Sequence, residues 1–133
     1  MPNFVDVNWL AVLAAAVSAF LLGGIWYGPL FKNVWCREAG IAPYDKPAHP
    51  ARTFGTAFVA ALVAAYAFAF VLGPNPNFWH AVHAGLMVGA LYVATSFGIN
   101  YAFAQRSFKL WAIDGGYHTL QFSLYGLILG LWH

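Results

Sequence analysis

Charge is what this sequence most lacks. Asp, Glu, Lys and Arg together make up 8% of its 133 residues, where a soluble domain carries about 25%. Ten charged side chains cannot clothe a water-exposed surface of this size, so a soluble globular fold is excluded. Cysteine is scarce too. Cys36 stands alone, which excludes an intrachain disulfide, and no Cys/His pattern has the spacing of a zinc site. No Lys or Arg precedes the first apolar run; a secretory signal needs a basic start, so that run reads as a retained span. The apolar runs show no strict alternation and are too long for barrel strands. No nucleophile–base set, phosphate loop or basic aromatic patch is visible. The chain therefore reads as having no catalytic residue, no cofactor and no nucleic-acid partner.

What is present is apolar. Hydrophobic residues make up 62% of the chain and aromatics 19%, with Trp and Tyr near the ends of apolar runs, as at a membrane interface. About 20 apolar residues cross a hydrocarbon core as a helix, and four runs have that length: 7–31, 53–73, 78–104 and 110–132. The fold class expected is an all-α, single-domain bundle of four transmembrane helices over residues 1–133. Gly40, Pro43, Pro47 and Pro50 break the longest connection, and Gly73-Pro74-Asn75-Pro76-Asn77 makes a tight turn between the second and third runs. Between the first run and Gly40, Phe31, Val34 and Trp35 share a face, which predicts a short amphipathic helix on the membrane surface.

The placement of the few charges sets the orientation. Lys32, Arg37, Lys46 and Arg52 lie in the first connection and Arg106 and Lys109 in the third; together they are all six basic residues. Short loops rich in Lys and Arg stay in the cytoplasm. Both termini are therefore expected outside, in an inner, cytoplasmic membrane, with membrane lipids as partners and the basic loops against anionic headgroups.

Lipid gives helices no hydrophobic reason to associate, so small residues that allow close backbone approach matter. Ala11, Ala15, Ala19 and Gly23 form one stripe, and Ala57, Ala61, Ala65 and Ala69 another. Gly85 with Gly89, and Gly126 with Gly130, form GxxxG pairs. These stripes serve packing within the bundle or contact in a homo-oligomer, and spacing alone does not separate the two uses.

An ionisable residue inside a span is costly and is a functional candidate by default. Asp114 lies about 7–8 Å into the last run, counted from Lys109 at 1.5 Å per residue. His118 and Gln121 follow on the same helix face, and Tyr117 flanks them. Asn100 and Tyr27 have a similar depth on other runs, so Tyr27, Asn100, Asp114, Tyr117, His118 and Gln121 form the candidate polar site. One reading makes it a proton or solute site in which Asp114 and His118 exchange a proton; the other pairs Asp114 with Arg52, Arg106 or Lys109. His80 and His83, spaced i and i+3, are weak metal candidates that only Asp6 or His133 could complete.

Trp26-Tyr27-Gly28-Pro29-Leu30-Phe31-Lys32-Asn33-Val34-Trp35 and Ile113-Asp114-Gly115-Gly116-Tyr117 resemble segments of the small bacterial membrane proteins grouped as domain of unknown function 1761. The resemblance covers essentially the whole chain. It implies a compact four-span protein, supplies no activity, and draws attention to Trp26, Tyr27, Pro29, Phe31, Trp35, Asp114 and Tyr117. The leading functional expectation is a non-enzymatic membrane protein that binds or moves a small solute, ion or lipid as an oligomer. A structural or accessory subunit of a larger membrane complex comes second, and an intramembrane enzyme or redox carrier third.

Overall fold

Four asparagine, serine and glycine positions punctuate the helices. Asn8 accepts hydrogen bonds from the Leu10 and Ala11 backbone amides at 3.1 Å and starts α1, Trp9–Ile25. Asn77 does the same for α4, Phe78–Met87, through Trp79 and His80. Ser107 caps α6, Phe108–Leu131, by accepting from the Leu110 amide. Side-chain oxygens at this position satisfy amides that have no partner inside the helix. Gly40, at φ +77°, ends α2, Lys32–Ala39, in the left-handed conformation glycine favours. α3, Pro50–Leu72, opens on a proline whose missing N–H costs nothing there, and α5 is Ala94–Phe103. The computed structural model describes residues 7–42 and 48–133; Asp6, Pro43, Lys46 and Pro47 lie outside them.

Two stretches wind more loosely, as π-helix: Trp26–Leu30 after α1 and Val88–Val93 between α4 and α5. In the first, the Phe31 amide reaches back to the Trp26 carbonyl at 3.1 Å, across the wide turn that holds Pro29. α1 therefore runs on to Leu30, and α4 and α5 form one continuous rod.

Among the described residues all regular structure is helical. Three helices are long and apolar enough to cross a membrane: Trp9–Leu30, Pro50–Leu72 and Phe78–Phe103. α6, with 24 residues, has the length but not the apolarity, because Asp114, His118 and Gln121 interrupt it. It is also the hub, packing against α1, α2, α3, α4, α5 and the second π-turn, while α3 leans chiefly on α1. The polar helix is thus the one wrapped by the others.

Small residues set the spacing. Ala11, Val12, Ala15, Ala16 and Ala19 of α1 meet Ala61, Ala65, Phe68 and Ala69 of α3 and Tyr125 and Leu129 of α6 in one buried core. Both GxxxG pairs are used within the chain. A Cβ built at Gly85 would lie 2.0 Å from the Phe122 carbonyl oxygen, and one at Gly126 would lie 2.2 Å from that of Ala81. At Gly89 it would lie 2.6 Å from the His118 oxygen, and at Gly130 it would meet Phe78 and Ala81 at 3.2 Å. Gly23 faces Tyr117 at ordinary contact distance. The alanine stripe of α3 fades toward its start: Ala51 to Ala57 are all exposed, and there Phe54 keeps an edge contact with Phe20 of α1.

Candidate functional site

The described basic residues lie at one end of the bundle, and one buried acid lies just inside that end. Asp114, 6% exposed, stands in the second turn of α6. Three donors converge on it from three other segments. The Tyr27 hydroxyl, from the π-turn after α1, donates to Oδ1 at 2.5 Å. The Trp35 indole Nε1, from α2, donates to the same oxygen at 3.0 Å. The Tyr101 hydroxyl, from α5, donates to Oδ2 at 2.5 Å. A carboxylate only accepts hydrogen bonds, so three donors suit it. Arg52, Arg106 and Lys109, the cations considered above, make no ion pair with it; among the described residues the ion pair is Arg37–Glu38, at 3.6 Å.

Local winding places these groups. The loose turn at Trp26–Leu30 lets Trp26 and Tyr27 both face α6: the Trp26 indole donates to the Ile113 carbonyl at 2.8 Å while Tyr27 takes the next residue. On the third rod the residues facing α6 step by four through Ala81, Gly85 and Gly89. They then step by five across the π-turn to Ala94, and continue through Phe97 to Tyr101. Trp111 of α6 donates to the Ala94 carbonyl at 2.8 Å and fixes that register. Asn100, which was expected in the cluster, is consequently exposed, and its neighbour Tyr101 supplies the polar contact.

His118 and Gln121 form a second network. The Gln121 Nε2 donates to the Tyr125 hydroxyl at 2.8 Å, and that hydroxyl donates to the Ala61 carbonyl of α3 at 2.9 Å. Because the hydroxyl proton is spent on a carbonyl, the Gln121 amide must give it N–H and turn its oxygen to His118. The His118 Nδ1, 2.6 Å from that oxygen, must then carry a proton. The two networks share no hydrogen bond. Between them lies the Tyr117 ring, 5.5 Å from Tyr27 and 5.0 Å from His118, with its hydroxyl donating to the Ala19 carbonyl at 2.9 Å. Phe97 stacks on the other side of His118 at 4.9 Å. Tyr125 is wholly buried. Tyr125→Phe strands the Gln121 amide, and the expected loss is about 1–3 kcal/mol of stability, read from unfolding of the solubilised protein in a denaturing-detergent titration.

α2 covers this end. Trp35 pins its middle to Asp114. At its far end the Arg106 guanidinium donates to the Ala39 carbonyl at 3.2 Å. A hydrogen bond from the Ser107 hydroxyl, and then the charges of Arg37 and Lys109, hold the Glu38 carboxyl below its ordinary range. A lowered value means that this tether is present above the ordinary glutamate range, about 4.3, and is lost as pH falls through the lowered value. Cys36, 3% exposed on α2, reports whether the cover is seated. Its labelling by dithiodipyridine is expected to stay slow from neutral pH through that range and to rise only in stronger acid. Glu38→Gln should label faster at neutral pH and show a smaller acid step.

His80 and His83 are exposed, and the Nδ1 of His83 lies 2.8 Å from the Trp79 carbonyl oxygen. The Nδ1 of His133 lies 3.1 Å from the Leu129 oxygen. Among the described residues no three His, Cys, Asp or Glu side chains gather as a metal site, and Asp6 lies outside them.

No curated protein and no solved structure matches the chain. A family model described as "Protein of unknown function (DUF1761)" matches residues 10–130.

Proposed function

This chain belongs to the family of unknown function DUF1761, and from that premise we propose that it is a non-enzymatic integral membrane protein that binds or moves a small solute or ion at Asp114. In this reading α6 is the fourth span and the basic end faces the cytoplasm. Both termini face outward from an inner membrane, and the protein works as a homo-oligomer. The observation that carries the reading is a carboxylate set inside the bundle among three neutral donors. An acid at that depth is costly to keep. Packing alone would be served as well by apolar side chains of the same volume. A carboxyl held among neutral donors offers its oxygens to a small cation or a polar solute. α2 covers it, and its contacts include the Trp35 indole on Asp114 and the Arg106 bond to Ala39.

Asp114→Asn beside wild type tests this. Proteoliposome flux of protons and of small organic cations, with ligand-induced thermal shift in parallel, should show a response in wild type that the variant lacks. Equal behaviour of a folded Asp114→Asn would remove Asp114 from any binding role.

One feature favours a second reading, an accessory subunit. The first turns of α3, from Ala51 to Ala57, are exposed apart from the edge contact of Phe54 with Phe20, as a docking face for another membrane protein would be. Mass measurement after gentle extraction separates the two: a homo-oligomer supports the first reading, and a stoichiometric foreign partner supports the second.

A further inference from the structure

The turn between α5 and α6 carries a combination that neither polar network uses. Gln105, at φ +58°, reverses the chain sharply, and the Arg106 amide closes the turn on the Tyr101 carbonyl at 2.9 Å. The reversal leaves Phe103 and Phe108 bare on its two shoulders, 87% and 76% exposed. Between and beside them stand Arg106 and Lys109, both exposed. Two phenyl rings uncovered at the edge of a span are poorly placed in water and well placed against acyl chains. Two cations at the same level want an anion.

The charge balance of this end supports that. In sequence, the first and third connections carry Lys32, Arg37, Lys46, Arg52, Arg106 and Lys109 against the acids Glu38 and Asp45. Glu38 pairs with Arg37 at 3.6 Å, so the acids offset only part of the positive charge. The Arg106 guanidinium spends one N–H on Ala39. A guanidinium has five such donors in a planar fork, which leaves it able to grip a phosphate at two oxygens.

We propose that the α5–α6 turn is a binding site for an anionic phospholipid: Arg106 and Lys109 hold the headgroup phosphate, and Phe103 and Phe108 lie along its acyl chains. A free phosphate would use the cations and leave the rings bare, so the exposed phenylalanines point to the lipid form. Because Arg106 also holds the end of α2, an occupied site adds weight to the cover over Asp114. The site itself stands independently of what Asp114 binds.

Native mass spectrometry of the detergent-solubilised full chain, mixed with phosphatidylglycerol or phosphatidylcholine of the same acyl length, tests the proposal. Wild type should retain phosphatidylglycerol roughly thirtyfold better, on the order expected for two basic residues at an anionic surface. Arg106→Gln with Lys109→Gln should remove most of that preference, whereas Arg52→Gln, at the same end but off the turn, should keep it. Phe103→Ala with Phe108→Ala should weaken retention of both lipids. Inorganic phosphate at millimolar concentration should fail to displace the lipid. The proposal is overturned by a wild type without preference, by a double glutamine variant that keeps it, by Arg52→Gln losing as much, or by displacement with phosphate alone. Were the double variant not to fold, the wild-type preference and the Arg52→Gln comparison would still decide.

Discussion

Asp114→Ala is expected to cost the protein about 3–5 kcal/mol. Three donors lose their acceptor at once, and each buried donor left unpaired costs about 1–3 kcal/mol. Tyr101, nearest the edge, recovers part of its share from water. Tyr27 and Trp35, half-buried where α2 meets the bundle, recover part of theirs in the same way. The loss is not confined to stability. Trp35 is the contact that pins the middle of α2, so Cys36 on that helix should react with a thiol reagent far faster in the variant. Asp114→Asn keeps one acceptor oxygen and presents an N–H₂ to a hydroxyl that must reorient, so its cost should be smaller, about 1–2 kcal/mol. Unfolding in a denaturing-detergent titration gives the first quantity and labelling rate the second. A stable Asp114→Ala with a protected Cys36 would show that the three hydrogen bonds do not hold α2.

Gly126→Ala should do as much damage with a single methyl group. The Cβ of that alanine would stand 2.2 Å from the Ala81 carbonyl oxygen, and the atoms it meets are backbone, which no rotamer change can clear. α4 and α6 would have to part along their whole seam, opening contacts at Gly85 and Gly89 as well. Overpacking a core ordinarily costs about 1–3 kcal/mol; with two backbones driven apart, a loss above about 3 kcal/mol is expected, with Gly85→Ala equivalent. Gly24→Ala and Gly55→Ala are the controls. Nothing lies within 4 Å of a Cβ at either position, so alanine there should be neutral or stabilise by up to about 1 kcal/mol through helix propensity. Equal losses at all four positions would mean that the seam has no special closeness.

The contrast between those glycines explains what could be read from the residues alone. A small residue on an apolar run announces a close approach, and Gly85, Gly89, Gly126 and Gly130 all make one. Whether the approach is to another helix of the same chain depends on how each helix is turned, which spacing does not report. The same limit governs the site. Asp114 and Tyr27 were legible, one as an acid inside an apolar run and the other by its depth. Asn100 was placed by depth as well, but facing is decided by register. The loose turn at Val88–Val93 adds a residue to the face and brings Tyr101 inward in its place. That π-turn leaves no mark in the sequence comparable to the Pro29 of the first one. Trp35 was legible as part of the apolar side of a surface helix and as one residue of the family resemblance, without a role. Its indole N–H has a destination on a helix 79 positions later, and long-range pairing of that kind has no local signature. The length and the charge pattern were the easiest to read, because hydrocarbon thickness and the scarcity of charge constrain every residue of a span at once.

That 79-residue separation also sets an order of events during synthesis. Chains grow at about 5–20 residues per second, so Trp35 emerges roughly 4–16 s before its acceptor. Throughout that interval α2 lacks its central anchor, and Arg106 and Ser107, which fasten its other end, emerge only shortly before Asp114 does. The cover must therefore seat last, after the final helix has entered the bundle. A nascent chain stalled before Asp114 would display Cys36 and Trp35 openly, giving a quality-control factor a ready sign that assembly is unfinished.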